Sequence, residues 1–120
     1  MDFNEVTISG RLTRQPETKQ AGSTTITSFS LAVNQNYKAK SGEWVDKTLF
    51  IDCKAWSSYG EYLAQKFEKG DWIVIKGSLE LEEWEKDGQK NRKHVLNVQR
   101  AVTKPEKKNT DNSIGDDIPF

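Results

Sequence analysis

The chain has one cysteine, one histidine and three prolines among its 120 residues. With Cys53 alone, no intrachain disulfide or thiol-based metal cluster can form. No run of about 18 apolar residues is present, which excludes a transmembrane helix. The first residues also lack the basic and apolar regions of a secretory signal. We therefore expect a cytoplasmic protein that holds no metal or other cofactor.

Enzyme signatures are missing as well. The sequence has no Walker loop, no carboxylate pair that we can place in a cleft and no metal-ligand spacing. Cys53 and His94 are each the only residue of their kind. They can be interpreted as a nucleophile and its base, but a buried small residue and a surface group are the more common roles. We expect no enzymatic activity.

The charge of the chain indicates no partner by itself. Eighteen basic and eighteen acidic residues give a formal net charge of zero, so bulk electrostatics do not indicate a nucleic-acid partner. The apolar fraction of 34% is low and the charged fraction of 30% is high. A chain of this length fits one domain and a solvated tail.

Five segments have the pattern of β-strands. They cover residues 4–12, 24–35, 48–56, 71–84 and 92–102. Residues 15–23 carry loop signals, and residues 36–46 are predicted to form a hairpin loop. In the fourth strand, four aliphatic residues share one side and a glycine there indicates a bulge or bend: Ile73, Ile75, Leu79, Leu81 and Gly77. The pair Asp87-Gly88 indicates a turn.

One helix is predicted between the third and fourth strands. Ser58 to Glu61 fits a capping box, and Gly70 stands where a C-cap glycine belongs, so the predicted helix covers residues 58–69. Five strands with a helix in this place indicate an all-β, five-stranded OB-fold barrel, although other small antiparallel barrels fit too. The barrel domain is predicted over residues 1–103 and a flexible linker over residues 104–115.

The third strand carries the most information about function. Its residues of one parity, Leu49, Ile51, Cys53 and Ala55, suit a barrel interior. The other parity forms what we call the aromatic strip: Phe50, Asp52, Lys54 and Trp56. Exposed aromatics are costly on a barrel exterior unless something covers them. Single-stranded nucleic acid requires such a surface, because bases stack on the rings and cations follow the phosphates.

Other aromatic residues extend this pattern. Lys76 and Trp84 lie opposite the aliphatic side of the fourth strand, while Tyr37 and Trp44 lie in the loop before the third. The alternative is that such rings cover a subunit interface or fill the barrel. We favour that alternative for Trp72 and base stacking for the aromatic strip.

Acidic residues around Trp84 oppose a nucleic-acid interpretation, because they repel phosphates. They are Glu80, Glu82, Glu83, Glu85 and Asp87. Basic residues follow across the predicted turn, namely Lys90, Arg92 and Lys93. Pairing between the two strands brings these charges together, which also fits a plain solvated hairpin.

The last five residues form a segment that we call the tip: Asp116, Asp117, Ile118, Pro119 and Phe120. A terminal phenylalanine offers a ring and a carboxylate to a pocket with a basic rim, and proline lowers the entropy lost on binding. A frayed terminus is the alternative.

Together these features resemble the single-stranded-DNA-binding protein family of bacteria and phages. The resemblance lies in residues 4–12 with Pro16-Glu17, in residues 29–33, in residues 62–70, in residues 75–79 with Trp84, and in the tip. It implies a homotetramer of OB barrels that binds single-stranded DNA without sequence preference, near the nucleoid, in replication, recombination and repair. The tip would bind partner proteins from those pathways.

The resemblance also implies site residues. DNA-stacking positions fall on Tyr37, Phe50, Trp56 and Trp84, where the first two replace what is often tryptophan. Phosphate contacts are expected from Arg11, Lys54, Lys76, Arg92 and Lys93. This chain departs from the family in its acidic residues near Trp84 and in having two aspartates in the tip where three are common. An RNA-binding OB module and a protein-interaction OB domain remain alternatives.

Overall fold

The computed structural model describes residues 2–103, and the predicted linker and tip lie outside them. The elements are β1 (Val6–Leu12), β2 (Glu17–Ala21), β3 (Thr24–Asn34), β4 (Tyr37–Lys38), β5 (Trp44–Val45), β6 (Thr48–Trp56), α1 (Ser57–Lys66), β7 (Trp72–Lys86) and β8 (Gln89–Thr103). Among the described residues, no helix combines the length and the apolar character needed to cross a membrane.

The main sheet closes into a barrel. Its strand order is β1-β7-β8-β6-β3-β2, and β1 also pairs with β3, which completes a ring of five strands. The pairing of β6 with β8 is parallel, and the other pairings of this sheet are antiparallel. With α1 between β6 and β7, the predicted OB-fold barrel is confirmed.

The barrel interior holds the aliphatic residues that the alternating strand patterns indicate. Leu31, Ala55, Ile75 and Leu96 are completely buried, and α1 adds Leu63. Burial of such side chains stabilises the fold by roughly 1.5–3 kcal/mol each for the larger ones. The core therefore fixes which side of each strand faces outward.

Two parts of the predicted loops form strands instead. Residues 17–21 form β2, which pairs with β3 around a turn at Gly22, where φ is +66°. The hairpin loop over residues 36–46 contains the short β4–β5 ladder. Almost all side chains of β2 are exposed, so backbone hydrogen bonds hold this edge strand. A search for alternating apolar residues misses such a strand.

The capping-box prediction for the helix is wrong. Helix α1 begins at Ser57 and ends at Lys66, its N-cap is Trp56, and no side chain caps it. The Glu61 carboxylate accepts a hydrogen bond from Thr25 of β3 at 2.7 Å. Gly70, with φ of +92°, lies beyond the helix C-cap at Phe67 and donates its N–H to the Leu12 carbonyl.

A bulge and a tight turn shape the long β7–β8 hairpin, as predicted. The register shifts between Lys76 and Gly77, and a Cβ at Gly77 would collide with the Asn97 carbonyl. Asp87 and Gly88 both have positive φ values, +51° and +80°, as a two-residue hairpin turn requires. The hairpin extends past the barrel, and we call residues 80–95 the arm.

Two leucines that the sequence pattern assigns to the aliphatic side of β7 are exposed, because the hairpin extends past the barrel. Leu79 and Leu81 follow the parity of Ile75, yet they are 37% and 45% exposed. Leu79 pairs with the buried Leu96 at the end of the barrel, and Leu81 pairs with the exposed His94 on the arm, so β7 leaves the core at these two residues.

Candidate nucleic-acid interface

The outer face of β6 carries two exposed rings. Phe50 is 67% exposed and Trp56 is 40% exposed, whereas Cys53 and Ala55 on the other parity are buried. The predicted alternation holds along the strand except at Leu49, which is exposed. Leu49 lies close to the β4–β5 hairpin, where β6 has not yet entered the barrel core.

Small side chains on β3 leave open space beside the aromatic strip. Residues 26–34 of β3 pair with the whole of β6, and the outward residues of β3 are short except for Ile26, which lies opposite Trp56. Ser28, Ser30 and Ala32 are the cross-strand partners of Lys54, Asp52 and Phe50. A flat group such as a nucleobase can therefore approach Phe50 across short side chains, while Ile26 borders the Trp56 ring on this side.

Lys54 lies at the centre of the face and is held by two carboxylates. Its ammonium is 2.9 Å from Glu82 Oε2, 3.1 Å from Glu80 Oε1 and 5.4 Å from the centre of the Trp56 ring. The side chain is only 12% exposed. Burial lowers the pKa of Lys54, but hydrogen bonds to Glu82 and Glu80 outweigh it, and the pKa is raised.

A second lysine links the arm to β6 through an ion pair. Lys93 on β8 forms an ion pair with Asp52 at 2.9 Å, and its ammonium is 6.0 Å from the centre of the Trp84 ring. Trp84 is 45% exposed, and these contacts place it on the side of the arm that faces β6. The described residues thus bring Phe50, Trp56 and Trp84 to one face.

We call the five ionised groups at this junction the charge cluster: Asp52, Lys54, Glu80, Glu82 and Lys93. Asn97 of β8 donates a hydrogen bond to Glu80 at 2.7 Å. That bond lowers the pKa of Glu80, with a further contribution from Lys54. Three acids and two lysines give the charge cluster a net charge of −1, so it offers phosphates little attraction.

Arg92 does not join the other predicted cations. Glu82 pairs with Lys93 across the arm, and Glu83 pairs with Arg92. Successive side chains of a strand point to opposite faces, so Arg92 lies on the face away from Trp84. Sequence adjacency placed Arg92 and Lys93 together, and the strand separates them.

Of the remaining predicted residues, two lie near the edge of this face and one lies apart from it. Tyr37 is exposed on β4, in the hairpin that joins β3 to the start of β6. Arg11 pairs with Ala32, which pairs with Phe50, so its Cα is roughly 10 Å from that of Phe50, two strand spacings away. Lys76 lies before the bulge, beside Thr7 and Arg100, apart from the aromatic strip.

Sequence reasoning missed two cations. Arg14 and Lys19 line a groove of about 220 Å³ whose other walls include Asp52, Lys54, Glu82 and Lys93. Lys19 belongs to β2, which carries no apolar alternation and was predicted as loop. Recognising β2 as the partner of β3 would have placed Lys19 beside the aromatic strip.

A cysteine–histidine catalytic pair is not formed. Cys53 is buried, and burial together with the nearby charge of Asp52 raises the pKa of its thiol to about 12. His94 pairs with Leu81 on the exposed arm. The thiol stays protonated at neutral pH, and the His94 imidazole lies on the arm rather than in the core with it.

Comparison with known proteins shows which family this sequence resembles. The model of the single-strand binding protein family matches residues 3–104. The single-stranded DNA-binding protein of Aquifex aeolicus (strain VF5) is 39% identical over 89 residues, which are 73% of this chain and 60% of that protein. That of Treponema pallidum (strain Nichols) is 38% identical over 95 residues, which are 77% and 52%. The chain thus spans between half and two thirds of these relatives.

Solved structures share the fold. A Plasmodium falciparum SSB in complex with ssDNA has a TM-score of 0.74 at 22% identity and covers 85% of this chain and 93% of its own. A deletion mutant of the single-stranded DNA binding protein from Thermus aquaticus also has a TM-score of 0.74, at 24% identity, covering 84% and 50%.

Proposed function

Because this chain belongs to the single-strand binding protein family, we propose that it binds single-stranded DNA without reading its sequence. It would cover strands exposed in replication, recombination and repair, close to the nucleoid and without catalysing a reaction. The observation that carries this proposal is the exposure of Phe50, Trp56 and Trp84 on one face beside an open row of small residues.

Base stacking supplies most of the binding energy in this proposal. Stacking contributes roughly 1–3 kcal/mol per base on an aromatic side chain and accepts any base. Phe50, Trp56 and Trp84 would each carry a base, and Tyr37 would extend the path beyond Phe50. The net charge of −1 on the charge cluster leaves less to phosphate contacts than is usual for nucleic-acid-binding surfaces.

Phosphates would contact cations at the edge of the face. Lys93, Arg11 and Lys76 remain candidates, and Arg14 and Lys19 join them because they line the groove beside the aromatic strip. Lys54 would contact a phosphate only if one carboxylate released it. Arg92 is the weakest candidate, since it lies on the other face of the arm.

The other face of the arm favours contact with protein. Leu81 is exposed there and Leu79 is exposed just before the arm on the same side of β7, and two neighbouring exposed leucines are more typical of an interface than of a solvated hairpin. We propose that further copies of this chain assemble through such surfaces into a homotetramer. Sedimentation equilibrium of Leu79→Ser and Leu81→Ser variants tests this, and an unchanged mass would contradict it.

The tip is proposed to recruit replication and repair proteins. Its composition carries this proposal, since two acids followed by an apolar segment suit a pocket with a basic rim. Phe120→Ala is expected to abolish capture of such proteins while oligo-dT affinity stays the same. Capture at wild-type levels by this variant would refute the role of the tip.

Titration of the intrinsic tryptophan emission tests the proposed function. Oligo-dT is expected to quench the emission and to bind more tightly than oligo-rU of equal length, while a blunt duplex binds weakly. Tighter binding of oligo-rU would favour the RNA-binding alternative. No quenching and no binding by any strand would favour the protein-interaction alternative.

A further inference from the structure

The two lysines of the charge cluster, on the face that carries Phe50, Trp56 and Trp84 and that we call the stacking face, are already paired with carboxylates. Lys54 contacts two carboxylates of β7, and Lys93 contacts Asp52 of β6. Glu80 is additionally held by the amide of Asn97. The groove beside them adds Arg14 and Lys19 together with the acid Glu17. A phosphate that approaches the centre of this face therefore meets no unpaired lysine in the charge cluster, whose own net charge is −1. Arg14, Lys19 and Glu17 at the groove bring the sum only to zero.

Single strands and duplexes respond differently to such a face. A duplex carries one charge per about 1.7 Å of its axis in a rigid arrangement, and its bases are already stacked on each other. It can bind this face only through phosphates, which the charge cluster repels. A single strand is flexible, so it can place its bases on the rings and turn its phosphates toward solvent or toward the outer cations.

We propose that Glu80 and Glu82 determine specificity by rejecting duplex DNA from the stacking face. They act by pairing with Lys54, which would otherwise be a phosphate ligand open to any nucleic acid. This inference rests on the proposed function and adds to it the residues that discriminate between the two forms of DNA.

The test compares two variants with the same change in net charge. The double variant Glu80→Gln, Glu82→Gln replaces the two carboxylates that contact Lys54 with neutral amides of similar size. Glu83→Gln with Glu85→Gln changes the arm charge equally on its opposite face, where Glu83 pairs with Arg92. Fluorescence anisotropy measures the affinity of labelled oligo-dT and of a labelled blunt duplex over a range of salt concentrations.

We expect the Glu80/Glu82 variant to bind the duplex roughly tenfold more tightly at low salt. The slope of log affinity against log salt concentration should become steeper by about 0.9 per new phosphate contact. Its oligo-dT affinity should rise less than about threefold, because stacking already supplies most of that binding. The Glu83/Glu85 variant should keep the wild-type ratio of the two affinities. Asp52→Asn frees Lys93 and should shift the ratio in the same direction as the Glu80/Glu82 variant.

Three results would overturn the inference. They are an unchanged ratio in the Glu80/Glu82 variant that folds by circular dichroism, an equal shift in both arm variants, and an unchanged ratio in Asp52→Asn. Failure of the proposed function is distinguishable from these, since wild-type protein would then not bind oligo-dT at all.

Discussion

Replacing Trp56 by alanine isolates the contribution of one stacking ring. Trp56 ends β6 and is the N-cap residue of α1, but its side chain makes no capping hydrogen bond. Its ring is 40% exposed and lies over Lys54 rather than in the core. The backbone role therefore survives in alanine, and the loss of stability should be smaller than the roughly 3–5 kcal/mol of a fully buried tryptophan.

The expected loss of binding follows from base stacking. If one base leaves the ring, oligo-dT affinity should fall by roughly 1–3 kcal/mol, which is about fivefold to 150-fold in Kd. Anisotropy of labelled oligo-dT measures this without depending on the tryptophan signal. Tyr62→Ala is the matched control, because Tyr62 is an exposed aromatic residue on α1 that stacks on Tyr59.

Two results would refute this reasoning. The first is wild-type affinity in a folded Trp56→Ala protein, which would show that no base stacks there. The second is an equal loss in Tyr62→Ala, which would show that exposed aromatics act through folding or assembly. Sedimentation and thermal unfolding of both variants separate these explanations.

Three further predictions concern the fold and its charges. Cys53, with a thiol pKa of about 12, should resist a thiol reagent at pH 8 until the protein unfolds, and fast native-state labelling would contradict its burial. Gly77→Ala should lower the free energy of unfolding by roughly 1–3 kcal/mol, measured by urea titration, because a Cβ collides with the Asn97 carbonyl. The lowered pKa of Glu80 means that its contribution to stability is present above its unfolded value of about 4.3 and is lost as the pH falls through the folded value. Protection of the arm amides against hydrogen exchange, relative to the intrinsic rate at each pH, should therefore fall more on acidification in wild type than in Glu80→Gln.

The parts of the fold that the sequence predicts have strong local signals. The alternation along β6 predicts both the buried and the exposed residues because one side faces a tight core. Gly77 predicts the bulge because there is no space for a Cβ at this position. Asp87-Gly88 predicts the turn because both residues adopt positive φ values, which most other residues disfavour. These signals act within a few residues and do not depend on distant partners.

The parts that were missed lack apolar periodicity or depend on contacts between distant segments. Edge strand β2 has no apolar periodicity, and Glu61 contacts Thr25 rather than capping α1. The pairing of Lys54 with Glu80 and Glu82 joins residues 26 and 28 positions apart along the chain. Only the register of the arm shows that Glu82 lies on the side of Lys54 and Trp84 and that Arg92 lies on the opposite side.

Photocrosslinking tests most directly whether the aromatic face is the binding site. Oligo-dT containing 5-iodouracil would be irradiated in complex with the wild-type protein, and mass spectrometry would identify the attached residues. We expect crosslinks at Phe50, Trp56 and Trp84, and none at Tyr62. Crosslinks confined to Tyr62 or to other residues off this face would contradict it.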